Sequence, residues 1–414
     1  MPETVNRKRS APDYALILIV ICLVCLGLFM VFDASYAKAG QMKYTGNDIY
    51  FYLKRQSLWA LLGVGALCFG MSTPYWKLRR WAVPAVAASL VLLAIVLIPG
   101  VGVAFSGGRR WLGRSPLLVQ PSEFAKLAII LYLAHVGAMR GPKIRHLQRG
   151  LAPRLVILGL VAALIAVEPD LGTALVLAAT GYALLLAAGA RVDHLAVVCV
   201  CLAGLAWLAV LHKDYRAHRI EAYFDPWGHY GGAGYQVSHS LLAIGSGGWL
   251  GAGPGKGLQK FYYLPAEKTD FIFSTVGEEF GLLGGVIMVA LFLLFVYRGY
   301  CIAHRTRDPF GALLAVGISS MIGIQAALNI AVTTNTVPAT GVPLPFISFG
   351  GSSLFITLFA VGVLLNVSRY PNAVGQERDE DHRFRRRYGR PHLPGPEHRR
   401  GTSTPRSRGA LRWQ

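Results

Sequence analysis

Charge is scarce in this 414-residue chain, at 15% of residues, where an ordinary soluble domain carries about 25%. With 54% hydrophobic residues and a mean hydropathy of +0.45, the apolar side chains exceed what soluble cores hold. That excludes a typical cytosolic enzyme and points to a polytopic membrane protein. Acid is scarcer than base, 21 residues against 41, for a net charge of +20. A nucleic-acid binder gathers such an excess on one folded face, whereas a membrane protein places it in cytoplasmic loops and tails. Of six cysteines, Cys22, Cys25, Cys68, Cys199 and Cys201 lie in apolar runs and Cys301 just beyond one, so neither a disulfide framework nor a zinc site is expected. Cys22 and Cys25 have redox-motif spacing without a polar partner and read as small buried hydrophobes. Gly251-Ala252-Gly253-Pro254-Gly255-Lys256-Gly257 breaks both nucleotide-binding fingerprints and reads as a turn. No internal repeat stands out, which counts against a carrier built from inverted halves.

What the chain does have is ten apolar segments of membrane-spanning character, at about 15–32, 57–71, 81–98, 123–136, 155–167, 171–188, 195–211, 275–297, 312–333 and 352–367. The predicted fold is an all-α polytopic membrane protein of about ten transmembrane helices. Arg7, Lys8 and Arg9 precede the first; Lys77, Arg79 and Arg80 follow the second; Arg140, Lys143, Arg145, Arg149 and Arg154 follow the fourth; Arg298, Arg305 and Arg307 follow the eighth. All fall on one side, with the twelve arginines from Arg369 onward, so both termini are expected in the cytoplasm. No small-residue cleavage site follows the basic start, so the first span is expected to remain as an anchor. The predicted organisation is a cytoplasmic segment 1–13, a membrane domain 14–369 and a basic tail 370–414, expected to be disordered and suited to anionic lipid. The opposite side receives loops 33–56, 99–122, 212–274 and 334–351. The third, between helices seven and eight, is the longest and is expected to pack on the membrane surface with short re-entrant helices.

Sorting the acids by side leaves Glu123, Glu168, Asp170, Asp270, Glu278 and Glu279 near the outer leaflet. A charge at mid-helix costs about 2.5 to 3.5 kcal/mol on insertion scales, so several near one face point to a shared aqueous cavity. Glu123 and Lys126 are one helical turn apart after Pro121 and share a face. Glu123 also suits the positive end of its helix, and Lys126 either snorkels or holds a carboxylate or diphosphate. Asp170 is placed to N-cap the sixth span, whereas Glu168 has no capping role and either lines the cavity or belongs to a structural ion pair. Asp270 stands just before Phe271-Ile272-Phe273, where partial desolvation raises proton affinity and a nearby lysine lowers it. With Thr269 available as the helix cap, Asp270 is the candidate base. Trp111, beside Arg109 and Arg110, suits either interfacial anchoring or stacking on a sugar and pairing with phosphate. Arg216 and Arg219 add external cations or form a solvated basic face.

From about Tyr14 to Arg369 the chain resembles the SEDS family (shape, elongation, division, sporulation; FtsW/RodA-like). The resemblance rests on Tyr52-Leu53-Lys54-Arg55-Gln56, Arg110-Trp111-Leu112, the stretch 120–126 and Pro169-Asp170-Leu171-Gly172-Thr173-Ala174. It continues through Arg219-Ile220, Asp225-Pro226-Trp227, Gly234-Tyr235-Gln236, Ser240-Leu241, Gly245-Ser246-Gly247-Gly248, 269–273 and 343–353. Ala266-Glu267-Lys268 and Thr340-Gly341 depart from common family patterns, while the 33–56 loop and basic tail incline the resemblance towards FtsW. It implies a ten-helix peptidoglycan glycosyltransferase that polymerises lipid II, releasing undecaprenyl diphosphate, at the outer face of the bacterial cytoplasmic membrane. The implied partners are a class B penicillin-binding transpeptidase and other divisome or elongasome membrane proteins, with no nucleic acid. The family's loop aspartate falls on Asp270, its loop tryptophan on Trp111, and its span-four acid and lysine on Glu123 and Lys126. The expected chemistry is inverting transfer with Asp270 as general base. Lys126, Arg109, Arg110 or a divalent cation (Mg or Mn) would neutralise the diphosphate, and no metal-ligand spacing decides among them. A lipid II flippase and a noncatalytic divisome scaffold are the competing readings; the first needs polar groups reaching the cytoplasmic face, the second no ionised Asp270.

Overall fold

The computed structural model describes residues 10–371, apart from 43–44, 106–107, 115–116, 141–143, 212–213, 233 and 262–267. The segments 1–9 and 372–414, with most of the predicted basic tail, lie outside the described residues.

Helices occupy all ten apolar segments. The first is α1 (Tyr14–Ala39), then α2 (Phe51–Ser72), which the single turn α3 (Tyr75–Leu78) connects to α4 (Ala82–Leu97). The next four are α5 (Pro121–Arg140), α6 (Ala152–Val167), α7 (Leu171–Ala187) and α8 (Val192–Leu211). Two loop helices, α9 (Asp214–Phe224) and α10 (Tyr235–Ser246), precede the last three spans, α11 (Ile272–Arg305), α12 (Pro309–Thr333) and α13 (Gly351–Arg369). Six stretches among the described residues are long and apolar enough to cross a membrane, while α6 and α7 are shorter. The segment expected at 123–136 is a full 20-residue helix, because Lys126 and His135 are accommodated by neighbouring helices rather than ending it.

Two departures from the sequence reading stand out. The 99–122 loop holds a small antiparallel sheet of β1 (Val103–Phe105), β2 (Gly108–Arg114) and β3 (Leu117–Val119), in that order. Two of the three strands have only three residues, too short to show periodicity in sequence. Cys22, Cys25, Cys68 and Cys199 are exposed on their helices rather than buried, since a thiol against hydrocarbon needs no protein cover.

Local chemistry starts and joins the helices. Asp13 N-caps α1 by accepting from Leu16 N–H at 3.0 Å, and its other oxygen accepts from Arg298 of α11 at 2.6 Å. Ser10 N–H donates to the Arg369 carbonyl at 2.9 Å, and Trp76 packs on Tyr370. The chain's beginning, Arg298 and the end of α13 therefore share one end of the bundle. Helix α12 packs against α5, α7 and α11, and α13 lies along α2. At Gly362 the backbones nearly touch: a Cβ there would stand 2.2 Å from the Leu67 carbonyl oxygen, the small-residue contact that lets membrane helices approach closely.

Helix α11 is broken at Gly281, whose φ of +64° admits glycine readily. A break inside a span frees backbone groups that lipid cannot satisfy. Here the turn 248–253 satisfies them: Leu282 and Leu283 N–H groups donate to the Gly248 and Trp249 carbonyls at 2.9 and 3.1 Å, and the Glu278 and Glu279 carbonyls accept from Ala252 and Gly253 at 2.9 and 3.0 Å. The glycine-rich motif is thus a turn, as its sequence indicated, and its purpose is to patch this break.

Candidate active site

At the end of the bundle away from Asp13, the first turn of α5 presents Glu123 and Lys126 on one face, 2.9 Å apart and each only 3% exposed. Lys126 Nζ also donates to Gln325 Oε1 of α12 at 2.6 Å, and the Gln325 amide donates to the Pro343 carbonyl at 2.9 Å. Lys126 therefore points inward and does not snorkel. An ammonium has three N–H groups, and Glu123 and Gln325 take two of them among the described residues. Such a buried pair is costly to desolvate and strongly destabilising to break.

The α6–α7 turn supplies the next acids. Asp170 caps α7 as predicted, accepting from Thr173 N–H at 3.1 Å and, on its other oxygen, from Gln120 Nε2 at 2.9 Å. Arg110 reaches across from β2 and donates to the carbonyls of Glu168, at 3.0 Å, and Pro169. The Glu168 side chain is fully buried, and neither carboxylate oxygen has a hydrogen-bond partner among the described residues. Burial, reinforced by Asp170, pushes its pKa up to about 8, with Arg110 offsetting part of the rise.

Alternation along β2 separates the three residues grouped by the sequence. Arg110 turns to the α6–α7 turn. Arg109 and Trp111 share the opposite face, Arg109 exposed and Trp111 half-buried, and no described contact joins them to the carboxylates. They are not brought together with the acids.

Asp270 lies in the turn before α11. Its backbone is fixed: Asn329 Nδ2 of α12 donates to its carbonyl at 2.8 Å, and Ser348 Oγ donates to the Thr269 carbonyl at 2.5 Å. Its half-buried carboxylate accepts no hydrogen bond among the described residues. A side chain at Gly341 would come within 3.6 Å of Oδ2. Neither Asp270 nor Thr269 caps α11, whose N-cap is Phe271 without a side-chain bond, so the assignment of the cap to Thr269 is corrected. Burial raises the Asp270 pKa to about 6, Asp170 adds to the rise, and Arg219 and Arg110 oppose it. The lysine expected to lower it plays another part: Lys268 Nζ sits 3.7 Å from the centre of the Tyr52 ring. Arg219, on α9, donates to the Ala339 carbonyl at 2.8 Å. Arg216 is on the same helix, with its side chain outside the described residues.

Sequence reading missed Gln120, Gln325 and Asn329. The last two were detectable as polar residues four apart in an apolar helix, where they share a face. It also missed Lys260, buried between Asp33 of α1, at 2.9 Å, and Glu279 of α11, at 2.5 Å. Glu278 and Glu279 accept backbone N–H groups from Gly255, Gly257, Leu258 and Gln259, so these two acids hold the long loop and are not part of the Asp270 cluster. Among the described residues no three His, Cys, Asp or Glu side chains converge as a protein-only metal site requires.

Residues 14–373 match the FtsW, RodA and SpoVE family of cell cycle proteins. Stage V sporulation protein E of Bacillus subtilis is 43% identical over 364 residues, 88% of this chain and 98% of its own length. The probable peptidoglycan glycosyltransferase FtsW of Geobacter metallireducens is 42% identical, covering 86% of this chain and 94% of that one. Among solved structures, the rod shape determining protein RodA of Thermus thermophilus superposes with a TM-score of 0.65 at 30% identity, over 88% of this chain and 99% of that one. A chain solved in work on structural coordination of polymerization and crosslinking by a peptidoglycan synthase complex gives a TM-score of 0.73 at 30% identity, with the same coverage. The ten-helix bundle, its acids gathered at one end and this similarity along nearly the whole chain agree: the chain is a member of the SEDS family of multi-pass membrane proteins, to which FtsW, RodA and SpoVE belong.

Proposed function

We propose that this protein is a peptidoglycan glycosyltransferase that polymerises lipid II, with Asp270 as the general base. The observation that carries the assignment of the base is the Asp270 carboxylate itself. It is positioned by its backbone, free of hydrogen bonds among the described residues, and close enough to Arg219 and Arg110 to feel their charge. Glu123 and Asp170 are occupied in holding other groups.

Asp270 takes the proton from the C4 hydroxyl of the acceptor GlcNAc as that oxygen attacks the anomeric carbon of the donor MurNAc. The bond to the diphosphate breaks, undecaprenyl diphosphate leaves with the electron pair, and the configuration inverts. Base catalysis of this kind contributes about 10² to 10⁴-fold. Arg110, Arg219 and Lys126 supply preorganised positive charge for the leaving group. Confinement of both lipid-linked substrates to one leaflet lowers the entropic cost of their encounter. The end bearing Arg79, Arg298 and Arg369 faces the cytoplasm by the positive-inside rule, which puts Asp270 and both substrates outside. The relative solved within a peptidoglycan synthase complex supports a cross-linking transpeptidase as partner.

The test is polymerisation of purified lipid II by the protein together with its transpeptidase. Asp270→Asn is expected to lower the rate by about 10² to 10⁴-fold while leaving partner binding intact. Polymer made equally well by the variant would remove Asp270 as base, and a wild type that makes none in the complex would overturn the activity.

A further inference from the structure

The motif Asp225-Pro226-Trp227 takes no part in the site above, yet the structure gives each of its residues a place. The Asp225 carboxylate accepts from Gly228 N–H at 2.8 Å, closing a turn, and Ser238 Oγ of α10 donates to the Pro226 carbonyl at 2.8 Å. These bonds account for the aspartate and the proline. They do not account for Trp227, which is 53% exposed.

Tyr230, 40% exposed, lies alongside it with the ring planes 12° apart and centroids 6.5 Å apart. The two rings are nearly parallel, and both residues keep a large share of their surface exposed. Their orientation is fixed from below. Tyr230 Oη shares a 2.8 Å hydrogen bond with Nε2 of the buried His239, whose Nδ1 is 2.7 Å from Gln259 Oε1. The Tyr235 ring fills the space beside both, 5.8 Å from Tyr230 and 4.3 Å from His239. His229 and Glu221 make a polar rim, 3.9 Å from each other.

This shelf connects to the reacting carboxylate. Tyr223 Oη donates to the Thr336 carbonyl at 3.2 Å, and Asn335 Nδ2 donates to the Tyr223 carbonyl at 3.1 Å. Five residues on from Thr336, at most about 18 Å of chain, is Gly341, beside Asp270; Ala339 on the way holds Arg219.

We infer that Trp227 and Tyr230 form a carbohydrate-stacking subsite for the polysaccharide strand that the active site extends. Rigid aromatic faces suit the C–H faces of sugar rings, and a polar rim suits their hydroxyls. Membrane anchoring, the ordinary role of an interfacial tryptophan, fits less well, because the ring lies parallel to a tyrosine that is itself hydrogen-bonded and the rim includes Glu221. The inference rests on the proposed activity and names a substrate contact beyond the reacting centre.

The probe is a fluorescent, lipid-free tetrasaccharide of alternating GlcNAc and MurNAc, titrated by polarisation against the full-length protein in nanodiscs with its transpeptidase. Wild type is expected to bind saturably, Trp227→Ala about tenfold more weakly, and Trp227→Phe within about twofold of wild type. From lipid II, Trp227→Ala is expected to yield shorter strands. Equal tetrasaccharide affinity and equal strand length in wild type and Trp227→Ala would overturn the subsite, as would no binding by wild type. So would quenching by brominated phospholipid that disappears in Trp227→Ala, which would make the shelf a membrane anchor. Failure of wild type to polymerise lipid II is a separate result that bears on the activity.

Discussion

A base must be deprotonated to act, and Asp270 is held by burial and by Asp170 at a pKa of about 6. Polymerisation measured as kcat/KM should therefore rise tenfold per pH unit on the acid side of about 6 and level off above it. A profile flat from pH 5 to 8 would contradict the role. Glu168 gives a second readout, in stability. Its pKa is raised in the folded state to about 8, so the folded protein favours the neutral acid. The stabilisation is fully present below the unfolded value of about 4.3 and is lost as pH rises through about 8. Glu168→Gln keeps the neutral shape and should match wild type in thermal inactivation at pH 5 but resist heat better at pH 9. Part of this was legible in the residues. Asp170 precedes a helix with the right side chain for a cap, and Glu123 and Lys126 are spaced to meet. The Lys268 charge was misjudged because adjacency in sequence does not show that a tyrosine ring from α2 intercepts it.

At the scale of elements, the long external loop is secured by a buried ionic cluster. Lys260 is enclosed by Asp33 and Glu279, and Glu279 also accepts two backbone N–H groups. Removing the cation leaves two acids facing each other out of water. Lys260→Met should cost about 3 to 5 kcal/mol, seen as a lower midpoint in thermal unfolding of the detergent-solubilised protein; an unchanged midpoint would mean the cluster carries no net stability. The spans were legible because apolar length is a strong signal. This cluster was not, since Asp33 and Lys260 are distant in sequence and each alone reads as an ordinary loop charge. The β1–β3 sheet escaped for a different reason: two of its strands are very short, and β2 packs on α4 and α5 and β3 on α13, contacts that sequence does not show.

For the whole molecule, the two ends of the bundle have opposite characters. One joins Asp13, Arg298 and the end of α13; the other gathers Asp270, Asp170, Glu168 and Glu123. Lys256→Cys in the long loop should react with a membrane-impermeant maleimide added to intact cells, and Lys77→Cys in α3 only after permeabilisation. Reversed labelling would place the carboxylates in the cytoplasm and overturn polymerisation outside. Sorting lysine and arginine by loop is what sets the orientation that this labelling tests, because that bias acts on whole segments and needs no contact geometry.

The break at Gly281 also sets a height. From it to Ile272 runs a half-helix of about 13 Å at 1.5 Å per residue, and Asp270 stands just past its far end. A lipid-linked sugar sits at a level dictated by its own anchor in the bilayer, and the enzyme must meet it there. With the break pinned by backbone bonds to the turn 248–253, the half-helix is a spacer of constant length. With Asp270 as the proposed base, that spacer fixes its height above the break, the direction in which a bilayer-anchored substrate moves least.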